Sequence, residues 1–289
     1  MKPKVKYKKA VDQFMLSAYQ KRNAWKDGYG SGISSNDAHA LGCLRKLQSY
    51  QNVIYIKDVD YKYIDGFIST LIGTMSNSTI NKYIVHFRRF FNFCVNWEMI
   101  YVNHANKINK LKESRAVPYS FKDEEIERIL AHAGKYQNFF EFMLETGLRP
   151  TDTWELTQDN FSKDENGMSM KVRMKKCNKN ITVPISKTAQ QIVESSGHKL
   201  FPWASKKSCR REPILLLKRS FGYGGAGTRY CKKYGITLHT FRHTYAMRLL
   251  AKGVSKDIVQ QLLGHSSVRI TEIYAREIPQ NNLRQALFA

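Results

Sequence analysis

The sequence predicts a mainly α-helical protein of two domains, the second carrying a small β-hairpin or sheet. Three observations lead there. Apolar residues recur at helical spacing through most of the first hundred positions and again beyond position 120. A single stretch, residues 168–185, instead alternates apolar and polar side chains about a Lys/Asn-rich turn. Between the helical blocks lies a polar, basic segment with Pro118 near its end, read as a linker over residues 106–118. With 289 residues, of which 42% are hydrophobic and 12% aromatic, each part can bury a core of its own.

In the first domain, residues 1–105, "YKKAVDQFMLSAYQKRNA" reads as an amphipathic helix that breaks at the Gly/Ser-rich "KDGYGSGISS". "NDAHALGCLRKLQSY" follows as a second helix, entered through Ser35, Asn36 or Asp37. "YKYIDGFISTLIG" is a third, and "NSTINKYIVHFRRFFNFCVNWEMI" a fourth with Ser78 as candidate cap. Phe87, Phe90, Phe91 and Phe93 on that helix are read as core rather than as platforms for stacking bases.

The second domain, residues 119–289, opens with "SFKD" as a capping box for "DEEIERILAHAG". "FFEFMLETG" is a buried helix stopped by Gly147, and Pro150 is poised to start another. After the hairpin, helices are expected near 187–195, 228–235, 239–251, 255–263 and 267–275. "GYGGAGTRY" lacks the Gly-Lys-Ser/Thr ending of a phosphate loop and is read as a flexible connection. The terminal "NNLRQALFA" sets Leu283, Leu287 and Phe288 on one helical stripe.

Charge narrows the function. Lys+Arg number 47 against 24 Asp+Glu, a formal net charge of +23. The excess is spread along the chain: 18 basic against 7 acidic residues in positions 1–112, and 29 against 17 in the rest. A folded protein this basic points to a polyanion, with nucleic acid first among candidates. No apolar run is long enough to cross a bilayer, and no apolar region follows the basic start, so neither membrane nor export is expected. Five scattered cysteines with no Cys-x-x-Cys pair give neither a disulfide framework nor a zinc site. A reducing cytoplasm, and association with the nucleoid, is the expectation.

Several side chains suit work on a phosphate. Arg149 falls between a helix stop and a helix start in "TGLRPTD", where it can reach an anion or simply pair with Asp152. Lys175, Lys176 and Lys179 sit about the hairpin turn. "HTFRH" places His239 and Arg242 three apart, on one face of a first helical turn that also bears His243. "LLGHSS" exposes His265 just after the stop at Gly264, and Tyr274 comes nine residues after His265.

Taken in this order and context, the set resembles the motifs of the tyrosine recombinases, the phage-integrase family. "TGLRPTD" is similar to the family's Thr-Gly-Leu-Arg with an acidic residue three later, "HTFRH" to its His-x-Leu-Arg-His, and "LLGHSS" with Tyr274 to its last motif. Phe241 replaces the usual Leu, and Cys177 stands where Gly often follows the hairpin lysine. Counting back from Pro184 assigns that lysine to Lys176, with Lys175 the alternative. The motifs cover residues 118–277; the first domain resembles the family's core-binding domain in size and pattern alone, in a minimal, Xer-like integrase arrangement.

The resemblance implies an enzyme, a site-specific DNA strand transferase. Arg149 and Arg242 would clamp one phosphate, and Tyr274 would attack it to give a 3′-phosphotyrosine and a free 5′-hydroxyl. His239 would act as base, Lys176 would protonate the leaving oxygen, and His265 would bond the phosphate as charge builds. No metal or other cofactor is implied. The partners implied are double-stranded DNA and further copies of the chain, as a homotetramer on two sites exchanging strands through a Holliday junction, with room for accessory or directionality proteins. Residues from about 280 to 289 would form an exchange segment docking on a neighbour, the alternative being a helix folded back on the chain's own core. A type IB topoisomerase and a catalytically silent DNA-binding protein are the alternatives.

Overall fold

The computed structural model describes residues 4–23, 34–113, 117–165, 167–174, 179–202 and 211–264. The chain divides into two compact units, with the boundary between residues 114 and 115.

The first unit is helical, as expected: α1 (Tyr7–Asn23), α2 (Ser35–Ser49), α3 (Tyr61–Leu71) and α4 (Asn77–Asn96). Its helix starts differ from expectation. Ser34, not Ser35–Asp37, caps α2 by accepting the Asp37 N–H, and Ser76, not Ser78, caps α4 by accepting the Thr79 N–H. A cap must be extended so that its side chain can turn back onto the first helical turn, and Ser34 and Ser76 are, with ψ of 153° and 146°. Phe87, Phe90 and Phe91 are fully buried and Phe93 packs against the same core. The rings of Phe90 and Phe93 meet Tyr7 and Phe14 of α1 at centroid distances of 5.4–5.7 Å.

Part of the stretch expected as linker is bound to this unit. Ile108 is buried, and the Arg88 guanidinium donates to the carbonyls of Ala105 and Ile108. Asn81 both donates to the Leu111 carbonyl and accepts its N–H. Polar backbone that has no helix or strand to pair with is satisfied here by side chains of α4.

In the second unit α6 (Gln137–Thr146) packs against α5 (Asp123–Ala131), a short α7 (Pro150–Thr153), α8 (Lys187–Glu194) and α11 (His239–Ala251); the unit also holds a three-stranded sheet, the paired α9 (Arg211–Arg219) and α10 (Gly225–Tyr234), and α12 (Lys256–Leu263) against α11. Lys122 rather than Ser120 holds the cap position of α5, and of the expected capping box the return half is present: Glu125 accepts the Lys122 N–H at 2.9 Å. The expected hairpin is β2 (Gly167–Met174) with β3 (Lys179–Pro184), antiparallel, with Met170 opposite Val183. A further strand, β1 (Phe161–Asp164), pairs antiparallel to β2 and was not legible in the polar "FSKD". Met168, Met170, Val172, Ile181 and Val183 turn inward.

Helix α9 was also unforeseen, and α10 starts inside the glycine-rich stretch read as a connection. Gly227 explains that start. A Cβ there would lie 1.9 Å from the Lys218 carbonyl oxygen and 2.6 Å from that of Gly222, so only glycine lets α10 close against α9. Helix α6, which leads into the turn of Arg149, and α11, which carries His239 and Arg242, are joined by aromatic packing: Phe140 of α6 stacks on Phe241 of α11 at 5.0 Å, and Phe139 of α6 stacks on Trp154 at 4.9 Å. Among the described residues, no helix is long and apolar enough to cross a membrane.

Candidate active site

Two helix ends and one helix start converge on Arg242. Helix α6 stops at Gly147, which adopts the left-handed conformation with φ of 61°, and α12 stops in the same way at Gly264, φ 58°. The last carbonyls of a helix have no partner within it and form its negative pole. Arg242, in the first turn of α11 and 3% exposed, donates to the Gly147 carbonyl at 2.8 Å and to that of Leu263. One guanidinium therefore joins α11 to the ends of α6 and α12.

This bond brings the Arg149 turn to the same place. Leu148 is buried, and Arg149 is the extended residue before α7, with Pro150 at the first helical position. The Arg149 side chain is 15% exposed and its Nη1 lies 3.6 Å from Asp152 Oδ2, itself 2% exposed. The proximity to Asp152, which the sequence set against reaching an anion, is present, and the guanidinium is largely enclosed rather than on the surface. His239 stands exposed at the start of α11, its backbone N–H accepted by Thr237 Oγ1. In the next turn of α11 Thr244 accepts the Phe121 N–H at 2.9 Å, tying the entry to α5 onto α11.

The described part of the site therefore contains Arg149, His239 and Arg242. Lys175, Lys176, Cys177, His265 and Tyr274 lie outside the described residues, as do the predicted helix 267–275 and the stripe Leu283, Leu287, Phe288. Lys176 falls in the connection between β2 and β3, and His265 follows Gly264 directly. Among the described residues, no three His, Cys, Asp or Glu side chains are grouped to hold a metal ion.

Sequence reading missed what Gly147 does beyond stopping a helix. A Cβ there would lie 2.3 Å from Tyr245 Cδ1 and 2.8 Å from Leu263 Cδ2. Gly147→Ala combines left-handed strain with overpacking, and is expected to cost about 2–4 kcal/mol. Thermal unfolding should show the midpoint falling by roughly 5–15 °C.

His243, four residues after His239 and beside Arg242, is neutral at ordinary pH. Burial pushes its pKa down to about 4, and the neighbouring His239 and Arg242 charges add to the effect. Between pH about 4 and 6.5 the unfolded chain holds a proton on this imidazole that the folded chain does not. Acidification through that window therefore favours unfolding, by roughly 2–3 kcal/mol at its lower end. In His243→Gln, stability measured by denaturant titration should fall less steeply from pH 6.5 to 4 than in the wild type.

The pattern of the phage integrase family matches residues 119–281, and that of the phage integrase SAM-like domain matches residues 15–110. The chain is 29% identical over 241 residues to a tyrosine recombinase of Pseudothermotoga lettingae, covering 80% of this chain and 82% of that protein. It is 27% identical over 235 residues to tyrosine recombinase XerD of Lacticaseibacillus casei, covering 74% and 78%. Among solved structures, a lambda integrase dimer bound to a COC′ core site superimposes with a TM-score of 0.71 at 17% identity, over 93% of this chain and 77% of that one. XerH site-specific recombinase bound to palindromic difH substrate gives 0.67 at 15% identity, over 100% and 98%. The two structures share the fold; the family pattern takes in more than half of the chain, and with it the turn of Arg149 and the helix of His239 and Arg242. The chain belongs to the phage integrase family, the tyrosine recombinases.

Proposed function

We propose that this site-specific recombinase cleaves and rejoins DNA through a 3′-phosphotyrosine on Tyr274. The observation that carries the reading is the bond of Arg242 to Gly147, which draws two arginines and His239 to one helix junction. Arginine suits a phosphate because its planar fork stays charged and can bond two oxygens together.

In this reading Arg149 and Arg242 neutralise the non-bridging oxygens, and the Tyr274 oxygen attacks phosphorus as the bond to the 5′ oxygen breaks. Ionising a free tyrosine at pH 7 costs about 4 kcal/mol. The positive cluster offsets that cost and His239 takes the proton. Lys176 delivers a proton to the departing 5′ oxygen, and His265 bonds the phosphate as its charge grows. The phosphotyrosine bond keeps the energy of the broken linkage, so a 5′-hydroxyl from a second duplex reverses the step onto a new partner.

The first unit would serve as the core-binding domain, and the basic excess in both units supports a clamp on duplex DNA whose affinity falls steeply with salt. Lambda integrase has been solved as a tetramer bound to a Holliday junction. We extend that assembly to this chain as a homotetramer on two sites, with residues 280–289 as exchange segment, accessory proteins as further partners, and the nucleoid as its place of action.

The test needs no known target. Wild-type protein is incubated with fragmented DNA of its source, denatured in SDS, and the covalently held DNA sequenced. Adduct at one sequence is the expected result and supplies the target. Adduct spread over many sequences would mark a relaxing topoisomerase, and binding with no adduct would mark a silent DNA-binding protein.

A further inference from the structure

Arg242 and Tyr245 are three apart on α11 and so occupy one face, and that face meets the C-terminal turn of α6. Arg242 holds the carbonyl of Gly147; Tyr245 holds its other side. A side chain on Gly147 would fall 2.3 Å from Cδ1 and 2.9 Å from Cε1 of Tyr245, so the ring edge fills the place where that side chain would stand. Leu263, whose carbonyl also binds Arg242, reaches the same point with Cδ2. The α6 turn is thus bonded through its oxygen and blocked at its α-carbon, and Arg149 follows two residues later.

Glycine is the residue with the widest backbone freedom, so a turn pivoting on Gly147 needs an external stop. The stop is aromatic rather than polar: Tyr245 is half-buried, and burial together with the charge of Glu145 disfavours ionising its hydroxyl, against the opposite pull of Arg242. The useful part is the flat ring.

We infer that Tyr245 is a positioning residue for strand cleavage: its ring sets where the turn 147–149, and with it the Arg149 guanidinium, stands relative to Arg242 and His239. This rests on the function proposed above. A displacement of about 1 Å in a group that orients the reacting phosphate can lower a rate about 100-fold without touching the chemistry.

The experiment measures single-turnover cleavage at saturating protein, on a nicked duplex bearing the site recovered by wild-type adduct capture. Binding by gel shift and thermal unfolding are followed in parallel. Tyr245→Leu should cleave about 10- to 100-fold more slowly, with binding within about twofold of wild type, while Tyr245→Phe should stay within about threefold. In an Arg149→Gln background the Tyr245→Leu change should cost little more, because the two act through one group. Should the leucine variant not fold, Tyr245→Met, which fills more of the space without a ring, replaces it.

A folded leucine or methionine variant that cleaves at the wild-type rate overturns the inference. So does a phenylalanine variant as slow as the leucine one, or an equal loss in both backgrounds, which would mark mere packing. Wild-type protein that captures no DNA would instead overturn the cleavage reading itself, and the inference with it.

Discussion

Tyr274→Phe is expected to abolish covalent capture of DNA while leaving site binding within about twofold. The substitution removes one oxygen, and in the proposed reaction that oxygen forms the only bond between protein and DNA. No neighbouring group can take its place without reaching the same phosphorus from the same side, so the adduct should fall by at least about 10⁴-fold. The aromatic ring remains, and with it whatever packing Tyr274 supplies. SDS-resistant adduct on a nicked duplex, compared with a gel shift on the same DNA, separates the two effects. Adduct formed by the variant at the wild-type position and rate would assign the nucleophile to another of the 16 tyrosines.

Arg242→Gln is expected to damage folding and chemistry together. The native guanidinium is 3% exposed and serves two carbonyls that belong to different helices. An amide can reach one of them, leaving a buried acceptor unmet at the end of α6 or α12 and removing the charge that faces both negative poles. The expected loss is about 2–4 kcal/mol in stability. Cleavage by the protein that remains folded should fall about 10²- to 10³-fold, the usual effect of deleting one charge-stabilising donor. Arg242→Lys separates the roles, because a single ammonium keeps the charge but cannot fork to both carbonyls. Thermal unfolding and single-turnover cleavage measure the two losses. Wild-type stability in Arg242→Gln would show that the carbonyl bonds do not hold the helix ends together, and a wild-type cleavage rate would remove Arg242 from the reaction.

What could be read from the sequence follows from the range of the forces involved. Helix α11 spans His239–Ala251, as its apolar spacing predicts, because a buried amphipathic stripe is a local pattern. Gly147 and Gly264 were recognisable stops for the same reason. The caps were misplaced because several serines and an aspartate compete within a few residues, and only backbone conformation decides among them. Strand β1 carries no alternation and exists because β2 offers an edge to pair with. Helix α10 runs through a glycine-rich segment of poor helix propensity, and the close approach of Gly227 to α9 outweighs that cost. In the site, Arg149, His239 and Arg242 were named from their motifs. The partners that fix Arg242 lie 95 and 21 residues away, at Gly147 and Leu263, where no spacing rule reaches. The role of Tyr245 was invisible for the same reason.

The two carbonyls on Arg242 have a consequence for the thermodynamics of recognition. A free arginine side chain carries about 2 kcal/mol of rotamer entropy, normally lost when it meets its ligand. Here that freedom is surrendered when the second unit folds, in the absence of DNA. In the proposed reaction a phosphate arriving at the junction meets a receptor already set, so this contact should add to the heat of association with little opposing entropy, and its geometry should be the same in the free and bound protein. Recognition at this point would then be rigid by construction, and any adaptation to DNA would have to come from other parts of the chain.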